Sequence, residues 1–384
     1  MKHKLLFIIV DRANYGRLMP LILAGYKDNR FIIQTCFTGT TLSDKFGKLI
    51  NDVSQDGIEV NFQVNIEESF RSHEAMLNTI SNGIVKMQEL YKKVNPDAVV
   101  IIGDRYEALG CAIAAVYRNI YLIHLQGGEM SGSIDETTRH VITKMAHLHF
   151  PSTERAAKII KKMGENPKHI INSGCPVGDL ILSSKTNLNS LVPFYSVDNI
   201  RITSDDIQKG FALACLHPVT TGIENSLEMV KIIKEFLMSI NYPIIWITPN
   251  ADPGSNSIFK EIKTIPNCHL VVNLNAITFQ LLLRNAKFAL GNSSSFVRDS
   301  TFTGTPILLL GLRQKNRETH KNVTLIEDIS VKKLQKGLEN ILSKPRPNPS
   351  FLYGNGKASL EILNGIDNFL NIKPTKQKQL HYSF

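Results

Sequence analysis

Residues 103–140 read GDRYEALGCAIAAVYRNIYLIHLQGGEMSGSIDETTRH. An apolar, β-branched run precedes them at 98–102, and a second apolar run lies at 121–125, with a helical pattern at 108–117 between the two. This order predicts a βαβ unit with two buried parallel strands. Both strands end in polar residues, and ligands of open α/β sheets bind beyond the carboxyl ends of the strands. The stretch therefore predicts an α/β fold with a ligand site at one sheet edge.

The same alternation of strands and helices extends through both halves of the chain. We therefore predict two Rossmann-like doubly wound domains, at 1–182 and 208–366, with a cleft between them. Residues 184–208 are polar and aperiodic, which predicts a linker, and we expect the lysine-rich tail at 367–384 to be solvated. Further strands are predicted at 4–10, 31–38, 148–151, 170–172, 211–216, 243–248, 268–272, 287–290 and 306–310.

The composition excludes several classes of protein. The 384 residues carry a net charge of +10, but the basic residues are scattered and form no nucleic-acid-binding motif, so we expect an anionic small substrate and no nucleic acid. No apolar run approaches the roughly 20 residues of a membrane span, and residues 5–10 are too few for a signal peptide. The five cysteines, like His147 and His149, lack metal-ligand spacing. We therefore expect a cytoplasmic protein with reduced thiols, no bound metal and no membrane contact.

Anion-binding residues are predicted mainly in the second half of the chain. The sequence GNSSS at 291–295 is a strand-to-helix turn whose amides and hydroxyls can surround a phosphate, although it lacks the Gly-Lys-Ser/Thr ending of a Walker A loop. The alternative is that its serines only cap the helix. Arginines follow the next strand, and arginine binds a diphosphate through paired hydrogen bonds. The candidate ligand-binding residues at strand ends are Arg12, His217, Asn250, Ser293, Ser294, Arg313 and Arg317.

Carboxylates are predicted at the sheet edge of the first half. Close to Arg105 and Arg139, such carboxylates suit general acid/base chemistry, because burial and neighbouring charges tune their pKa values. The alternative is that some of them serve as helix caps or ion-pair partners, and Asp135 is a good candidate for an N-cap. The four carboxylates are Asp104, Glu129, Asp135 and Glu136.

Six motifs between residue 5 and about residue 370 resemble those of one enzyme family. They are GDRYE, the GGE loop, SGSIDETTRHVITKMAHLHF, HPVTT, GNSSS with Arg298, and GxRQxxR with Asn322. In this combination they resemble the hydrolysing UDP-N-acetylglucosamine 2-epimerases of sialic acid biosynthesis. The resemblance implies a GT-B-like fold with the active site in the interdomain cleft. Non-hydrolysing 2-epimerases and GT-B glycosyltransferases share that fold, but the non-hydrolysing enzymes differ in the SGSIDETTRH motif.

The resemblance also implies a mechanism. The proton at C2 of the sugar is removed and UDP leaves from C1, which gives a 2-acetamidoglucal. Water then adds with inverted configuration at C2 and releases N-acetylmannosamine, and no metal or redox cofactor is needed. By match to the family motifs, Asp104 and Asp135 are acid/base carboxylates and Arg139 is a sugar-side or structural cation, while the nucleotide-diphosphate ligands are Arg12, His217, Ser293, Ser294 and Arg313.

Two departures from the family pattern affect the predicted site. Some members carry a glutamate where this chain has Gln126, which cannot take a proton at neutral pH, so the base is Asp104, Asp135 or Glu129. Asp299 stands where glutamate is usual, which shortens the reach toward a ribose hydroxyl.

The motifs are also compatible with a second sugar. A related branch of the family acts on nucleotide-linked 2,4-diacetamido-2,4,6-trideoxyhexose on the way to legionaminic acid, and the nucleotide is UDP or GDP. We expect the partner to be a nucleotide-sugar substrate, and the protein to be a homodimer or homotetramer.

Overall fold

Two six-stranded parallel sheets form the framework of this computed structural model. The structure describes residues 2–43, 49–67, 72–132, 134–183, 194–218, 223–248, 255–272 and 274–382. The chain divides into a first unit, composed of Met1–Glu129, Ile134–Leu182 and Tyr353–Phe384, and a second unit, composed of Met130–Ser133 and Ser183–Leu352. The predicted fold class of two Rossmann-like α/β domains is thus confirmed.

The first unit contains one sheet with helices between its strands. Its strands have the order β3-β2-β1-β4-β5-β6, and all neighbours are parallel. Short 3₁₀ helices lie at Gly39–Leu42 and Pro167–His169. Its elements are β1 (His3–Ile9), α1 (Arg12–Tyr26), β2 (Phe31–Thr38), α2 (Leu49–Val53), β3 (Phe62–Val64), α3 (His73–Val94), β4 (Ala98–Ile102), α4 (Tyr106–Tyr117), β5 (Tyr121–Leu125), α5 (Asp135–Met145), β6 (Leu148–Phe150), α6 (Glu154–Lys162) and α7 (Val177–Ser183).

The second unit repeats this topology. The sheet order is β11-β10-β9-β12-β13-β14, again parallel throughout, and β7 and β8 form a separate antiparallel pair. Its elements are β7 (Phe194–Tyr195), β8 (Arg201–Ile202), α8 (Ser204–Gln208), β9 (Ala212–Cys215), α9 (Ile223–Met238), β10 (Ile244–Ile247), α10 (Ser255–Ile262), β11 (Cys268–Val271), α11 (Ala276–Asn285), β12 (Phe288–Gly291), α12 (Ser294–Arg298), a 3₁₀ helix (Asp299–Phe302), β13 (Ile307–Leu310), β14 (Val323–Ile326) and α13 (Val331–Leu342).

The predicted strands agree closely with the observed ones. With one exception each forms, and its ends differ from the prediction by no more than one residue. The exception is the strand predicted at 170–172, which is reduced to a single parallel bridge between Ile170 and His149. Every residue of β4 and β5 is buried, as expected for central strands covered by helices on both faces. The sequence patterns do not predict the short strands β3 and β14 at the sheet edges.

The segment predicted as a linker is partly folded. Residues 184–193 lie outside the described residues, but 194–208 form β7, β8 and α8. Ile202 and Ile207 are buried in the apolar core of the second unit beside Phe211. The linker prediction is therefore wrong for 194–208. This segment contains too few apolar residues to show a periodic pattern, so its short strands and helix are not predicted from the sequence.

The chain returns to the first unit at its C-terminal end. Helix α14 (Ala358–Ile372) packs there, with Arg30 Nη2 donating to Asn364 Oδ1 at 2.9 Å and the rings of Phe369 and Tyr121 in edge contact. The second-domain boundary predicted at 366 therefore differs from the observed division. An amphipathic helix reveals from its own sequence that it is half-buried, but not which sheet it covers.

The lysine-rich tail after α14 is exposed along most of residues 373–382, as predicted, but Lys378 is half-buried and attaches the tail to the first unit. Lys378 Nζ donates to Glu165 Oε2 at 2.6 Å, and Lys144 Nζ donates to Glu165 Oε1 at 2.6 Å. His149 Nε2 lies 3.1 Å from the same buried carboxylate. Burial alone raises the pKa of Glu165, but the hydrogen bonds from His149, Lys144 and Lys378 outweigh it and lower the pKa to about 2.

We predict that Glu165→Gln destabilises the protein by about 1–3 kcal/mol at neutral pH, because buried donors lose a charged acceptor. A folded-state pKa near 2 lies below the value of 4.5 for a free glutamate, so the contribution is present above pH 4.5 and disappears as the pH falls through 2. Thermal melts of wild type and variant should therefore converge as the pH is lowered through this range. Glu154→Gln, at an exposed pair with Lys158, is the control and should match wild type. Melting temperatures that differ equally at pH 7 and pH 2.5 would contradict this assignment.

Candidate active site

The candidate site in the first unit lies where β1 and β4 are neighbours in the middle of the sheet. The chain leaves these two strands toward opposite sides, which opens a crevice at their carboxyl ends. Asp11 and Arg12 follow β1, and Gly103 and Asp104 follow β4. Gly103 has φ +81°, a conformation that side chains other than glycine rarely adopt. The predicted sheet-edge location of Arg12 and Asp104 is thus observed.

Three of the four predicted carboxylates lie around one buried cation. Arg139, on α5, is 1% exposed, and its Nη2 is paired with Asp104 Oδ2. Its Nη1 donates to the backbone carbonyl of Glu129 at 2.7 Å. Burial alone lowers the pKa of Arg139, but the charges of Asp104, Glu129 and Asp135 outweigh it and raise the pKa. The structure therefore brings three predicted carboxylates together around a guanidinium that stays charged.

Asp135 does not have the capping role that the sequence suggested. The N-cap of α5 is Ile134, without a side-chain hydrogen bond, and Asp135 is the first helical residue. Its half-buried side chain begins the helix that carries Arg139, and a carboxylate in a first turn is stabilised by the helix dipole. The fourth carboxylate, Glu136, lies 3.5 Å from His140 Nε2.

A second buried ion pair lies beside this group and was not predicted. Arg105 donates through Nε and Nη2 to the two carboxylate oxygens of Glu107, at 3.1 and 2.8 Å, and its Nε is 3.7 Å from Asp11 Oδ2. Burial raises the pKa of Glu107 to about 7, although the charge of Arg105 opposes the shift. The only sequence signal for this pair was its place in the GDRYE motif after a buried strand.

Gln126 is placed at the end of β5 in a strained backbone conformation, with φ +61°. Its side chain is 1% exposed. Oε1 accepts from Arg17 Nη1 at 2.7 Å, and Nε2 donates to Cys175 Sγ at 2.8 Å. Gln126 therefore contacts a buried cation, Arg17, that the sequence motifs do not predict.

In the second unit the corresponding position lies between β9 and β12. Asn292 connects the two strand ends, because its Oδ1 accepts from the His217 backbone N–H at 2.7 Å and its Nδ2 donates to the His217 carbonyl at 2.8 Å. His217 Nε2 lies 3.4 Å from Cys215 Sγ. Burial raises the pKa of Cys215 to about 12, so this thiol stays protonated. Asn292 is part of the GNSSS motif, but the sequence does not predict that its side chain connects the two strand ends.

Arg313 and Gln314, in the loop after β13, also contact Asn292. Arg313 Nη1 and Gln314 Nε2 both donate to the Asn292 carbonyl, at 3.1 and 3.2 Å. The Arg313 carbonyl accepts from the N–H of Gly132 at 3.0 Å. A Cβ on Gly132 would lie 2.2 Å from the Leu312 carbonyl oxygen, so only glycine fits there. Gly132 is thereby joined to the arginine loop within the second unit.

Of four further predicted residues, the structure describes three and not the fourth. Ser293 is buried and Ser294 is half-buried at the start of α12, beside Asn292 as expected. Asp299 is 3% exposed, and its Oδ2 accepts from Gln280 Nε2 at 2.8 Å. Asn250 lies outside the described residues. Within the described ranges no group of three His, Cys, Asp or Glu side chains could hold a metal ion, and no described helix is long and apolar enough to cross a membrane.

Two doubly wound units with polar groups at their strand ends define an α/β protein of the class that binds its ligand at topological switch points. A family model described as UDP-N-acetylglucosamine 2-epimerase matches residues 24–367. The chain therefore belongs to the UDP-N-acetylglucosamine 2-epimerase family, which confirms the family resemblance.

Individual relatives agree with this assignment. The chain is 30% identical over 362 residues to UDP-N,N'-diacetylbacillosamine 2-epimerase (hydrolysing) of Legionella pneumophila, with 94% of each chain covered. It is 29% identical over 325 residues to UDP-N-acetylglucosamine 2-epimerase of Neisseria meningitidis, covering 83% of this chain and 82% of that one. The fold matches the Methanocaldococcus jannaschii UDP-GlcNAc 2-epimerase solved with UDP-GlcNAc and UDP, with a TM-score of 0.78, 20% identity and coverage of 95% and 99%.

We predict that Asn292→Ala destabilises the second unit by on the order of 2 kcal/mol or more, because it leaves the buried N–H and carbonyl of His217 without their partner. The single tryptophan, Trp246, is buried in β10 of this unit, so its fluorescence reports the unfolding in urea. Asn285→Ala removes a half-buried hydrogen bond within one helix, to the Leu281 carbonyl, and is the control with a smaller effect. Equal urea midpoints for the two variants would show that Asn292 does not join the strand ends.

Proposed function

We propose that this protein is a hydrolysing 2-epimerase that converts UDP-N-acetylglucosamine to N-acetylmannosamine and UDP for sialic-type acid biosynthesis. The observation that carries the proposal is the group of Asp104, Glu129 and Asp135 around the buried Arg139. Abstraction of a proton from carbon requires a positioned base, and the three carboxylates held near one cation are the candidates for that base.

The proposed reaction has two steps. A carboxylate, with Asp104 as the first choice, accepts the C2 proton while the C1–O bond breaks and its electron pair leaves on the β-phosphate of UDP. Water then adds its hydroxyl at C1 of the 2-acetamidoglucal, and C2 receives a proton on the opposite face. Asp135 or Glu129 is the second acid/base group in this scheme. Arg12, His217, Ser293, Ser294 and Arg313 are proposed to bind the diphosphate and Asp299 a ribose hydroxyl. Asn250 is proposed as a further substrate-binding residue.

A second candidate substrate is a nucleotide-linked 2,4-diacetamido-2,4,6-trideoxyglucose, on the way to legionaminic acid. It is supported by the relatives from Legionella pneumophila and Campylobacter jejuni, whose names specify hydrolysis of the diacetylbacillosamine nucleotide, linked to UDP in the former and to GDP or UDP in the latter. The reaction is the same in both cases, because a nucleoside diphosphate leaves from C1 and the C2 proton is removed. The cytoplasmic location, the homo-oligomeric state and the independence from cofactors stay predictions.

The test is incubation of the purified protein with both nucleotide sugars in D₂O, followed by product NMR. Hydrolytic epimerisation gives free UDP, or GDP, and a free manno sugar with deuterium at C2. A manno sugar that remains attached to the nucleotide would assign the protein to the non-hydrolysing class. Transfer of the sugar to an added acceptor would instead indicate a GT-B glycosyltransferase.

For the base, we predict that Asp104→Asn lowers turnover at least about 100-fold, because the amide cannot accept the C2 proton. The variant should also melt at a lower temperature, since the buried Arg139 loses its charged partner. Deuterium incorporation at C2 is therefore measured well below the melting temperature. Asp97→Asn, at the opposite end of the same strand, is the control and should keep full turnover. If the Asp104 variant turns over normally, the base is Asp135 or Glu129.

For the diphosphate, we predict that Arg313→Ala weakens UDP binding by about 1.5–3 kcal/mol, the contribution of a charged hydrogen bond. Isothermal titration calorimetry with UDP measures the change. Lys315→Ala, two residues further along the same loop, removes an exposed cation paired with Glu327 and should bind UDP like wild type. An unchanged affinity in the Arg313 variant would remove this residue from the binding site.

A further inference from the structure

The guanidinium of Arg17 is a buried charge with only neutral acceptors. Arg17 lies on the second turn of α1 and is 8% exposed. Its Nε donates to the Ala13 carbonyl at 2.8 Å and its Nη1 to Gln126 Oε1 at 2.7 Å. Among the described residues no carboxylate pairs with it. Because a buried charge is costly unless it is compensated, this arginine is suited to an acceptor supplied from outside the chain.

The side chain at position 126 determines this state of Arg17. Gln126 presents a neutral amide oxygen to the guanidinium, whereas a glutamate in the same place would form a buried ion pair and satisfy the charge. The other end of the amide is fixed by its hydrogen bond to Cys175 Sγ, which orients the oxygen toward Arg17. Gln126 therefore holds the arginine in place without neutralising it.

A second unsatisfied donor, on Asn14, lies near Gly103 together with the Arg17 guanidinium. Asn14 is 1% exposed, and its Nδ2 has no hydrogen-bond partner in the described part of the chain. A Cβ built on Gly103 would lie 3.7 Å from both Arg17 Nη1 and Nη2 and 4.0 Å from Asn14 Nδ2. The side-chain-free face of Gly103, directly before Asp104, is thus bordered by three nitrogen donors.

We infer that Arg17 and Asn14 form a subsite for the amide carbonyl oxygen of an acetamido group on the substrate sugar. A carbonyl oxygen only accepts hydrogen bonds, which matches a group that contains only donors, whereas a hydroxyl would also need an acceptor. The inference rests on the proposed function, since it assigns an atom of the nucleotide sugar to this site. It adds a specificity-determining role for Arg17, oriented by the positioning residue Gln126.

The test uses analogues that cannot lose UDP, in which a methylene group replaces the anomeric oxygen of UDP-GlcNAc and of UDP-glucose. Calorimetry of the whole protein measures their affinities and that of UDP. Wild type should prefer the acetamido analogue by about 10- to 100-fold, the range of a charged hydrogen bond. Arg17→Met and Gln126→Glu should each abolish most of this preference and leave the affinity for UDP unchanged.

Gln126→Glu keeps both the size of the side chain and Arg17 itself, so it tests the subsite even if Arg17→Met folds poorly. Gln335→Glu, on the exposed surface of α13, is the matched control and should keep the preference. An analogue with an acetamido group at C4 as well distinguishes the C2 carbonyl from the C4 carbonyl. If wild type binds this analogue more tightly still and the variants lose that additional preference, the subsite binds the C4 group.

Two results would overturn the inference. If both variants keep the wild-type preference, Arg17 only supports packing, and if UDP itself binds more weakly in both, the arginine binds the diphosphate. The reaction class is tested independently, because these analogues report binding without turnover. Loss of the preference in the variants, combined with a product that stays attached to UDP, would keep the subsite and reject the hydrolytic function.

Discussion

The positions of the polar side chains at the candidate site depend on the parallel pairing of β1 with β4 and of β9 with β12. At each of these pairs the chain departs to opposite sides of the sheet, so the carboxyl ends of the strands are left uncovered by a crossover connection. In the second unit the strands approach so closely that a Cβ on Gly291 would lie 1.8 Å from the Cys215 carbonyl oxygen. The register of the central strands therefore fixes which loops can meet, before any side chain is considered.

At the edge of the first unit, the arrangement of the carboxylates around Arg139 follows from electrostatic compensation. The guanidinium of Arg139 is removed from water, so it requires negative charge nearby, and the three carboxylates come from separate segments after β4, after β5 and at the start of α5. The same requirement makes Arg17 different, because its partner Gln126 is neutral. One buried arginine is thus satisfied by the chain itself, and the other is prepared to meet an acceptor on a ligand.

The C-terminal segment illustrates how local patterns can mislead. Its lysines suggest a solvated tail, yet Lys378 joins Lys144 and His149 at the buried carboxylate of Glu165. Helix α14 likewise covers the first unit, although it follows the second along the chain. Both features depend on contacts between residues more than two hundred positions apart, for which the sequence contains no local signal.

Local sequence patterns are enough to predict the class of fold, ten of the fourteen described strands and the edge at which the polar residues gather. Buried parallel strands are continuous apolar runs, and the residues directly after them must lie at the carboxyl edge, so these features can be inferred from neighbouring residues alone. The partners of these residues become visible only in the folded chain, where Arg139 pairs with Asp104, Arg17 with Gln126, and Asn292 with the backbone of His217. Such pairs join distant segments, and their geometry follows from strand register and helix packing, which a local pattern does not encode.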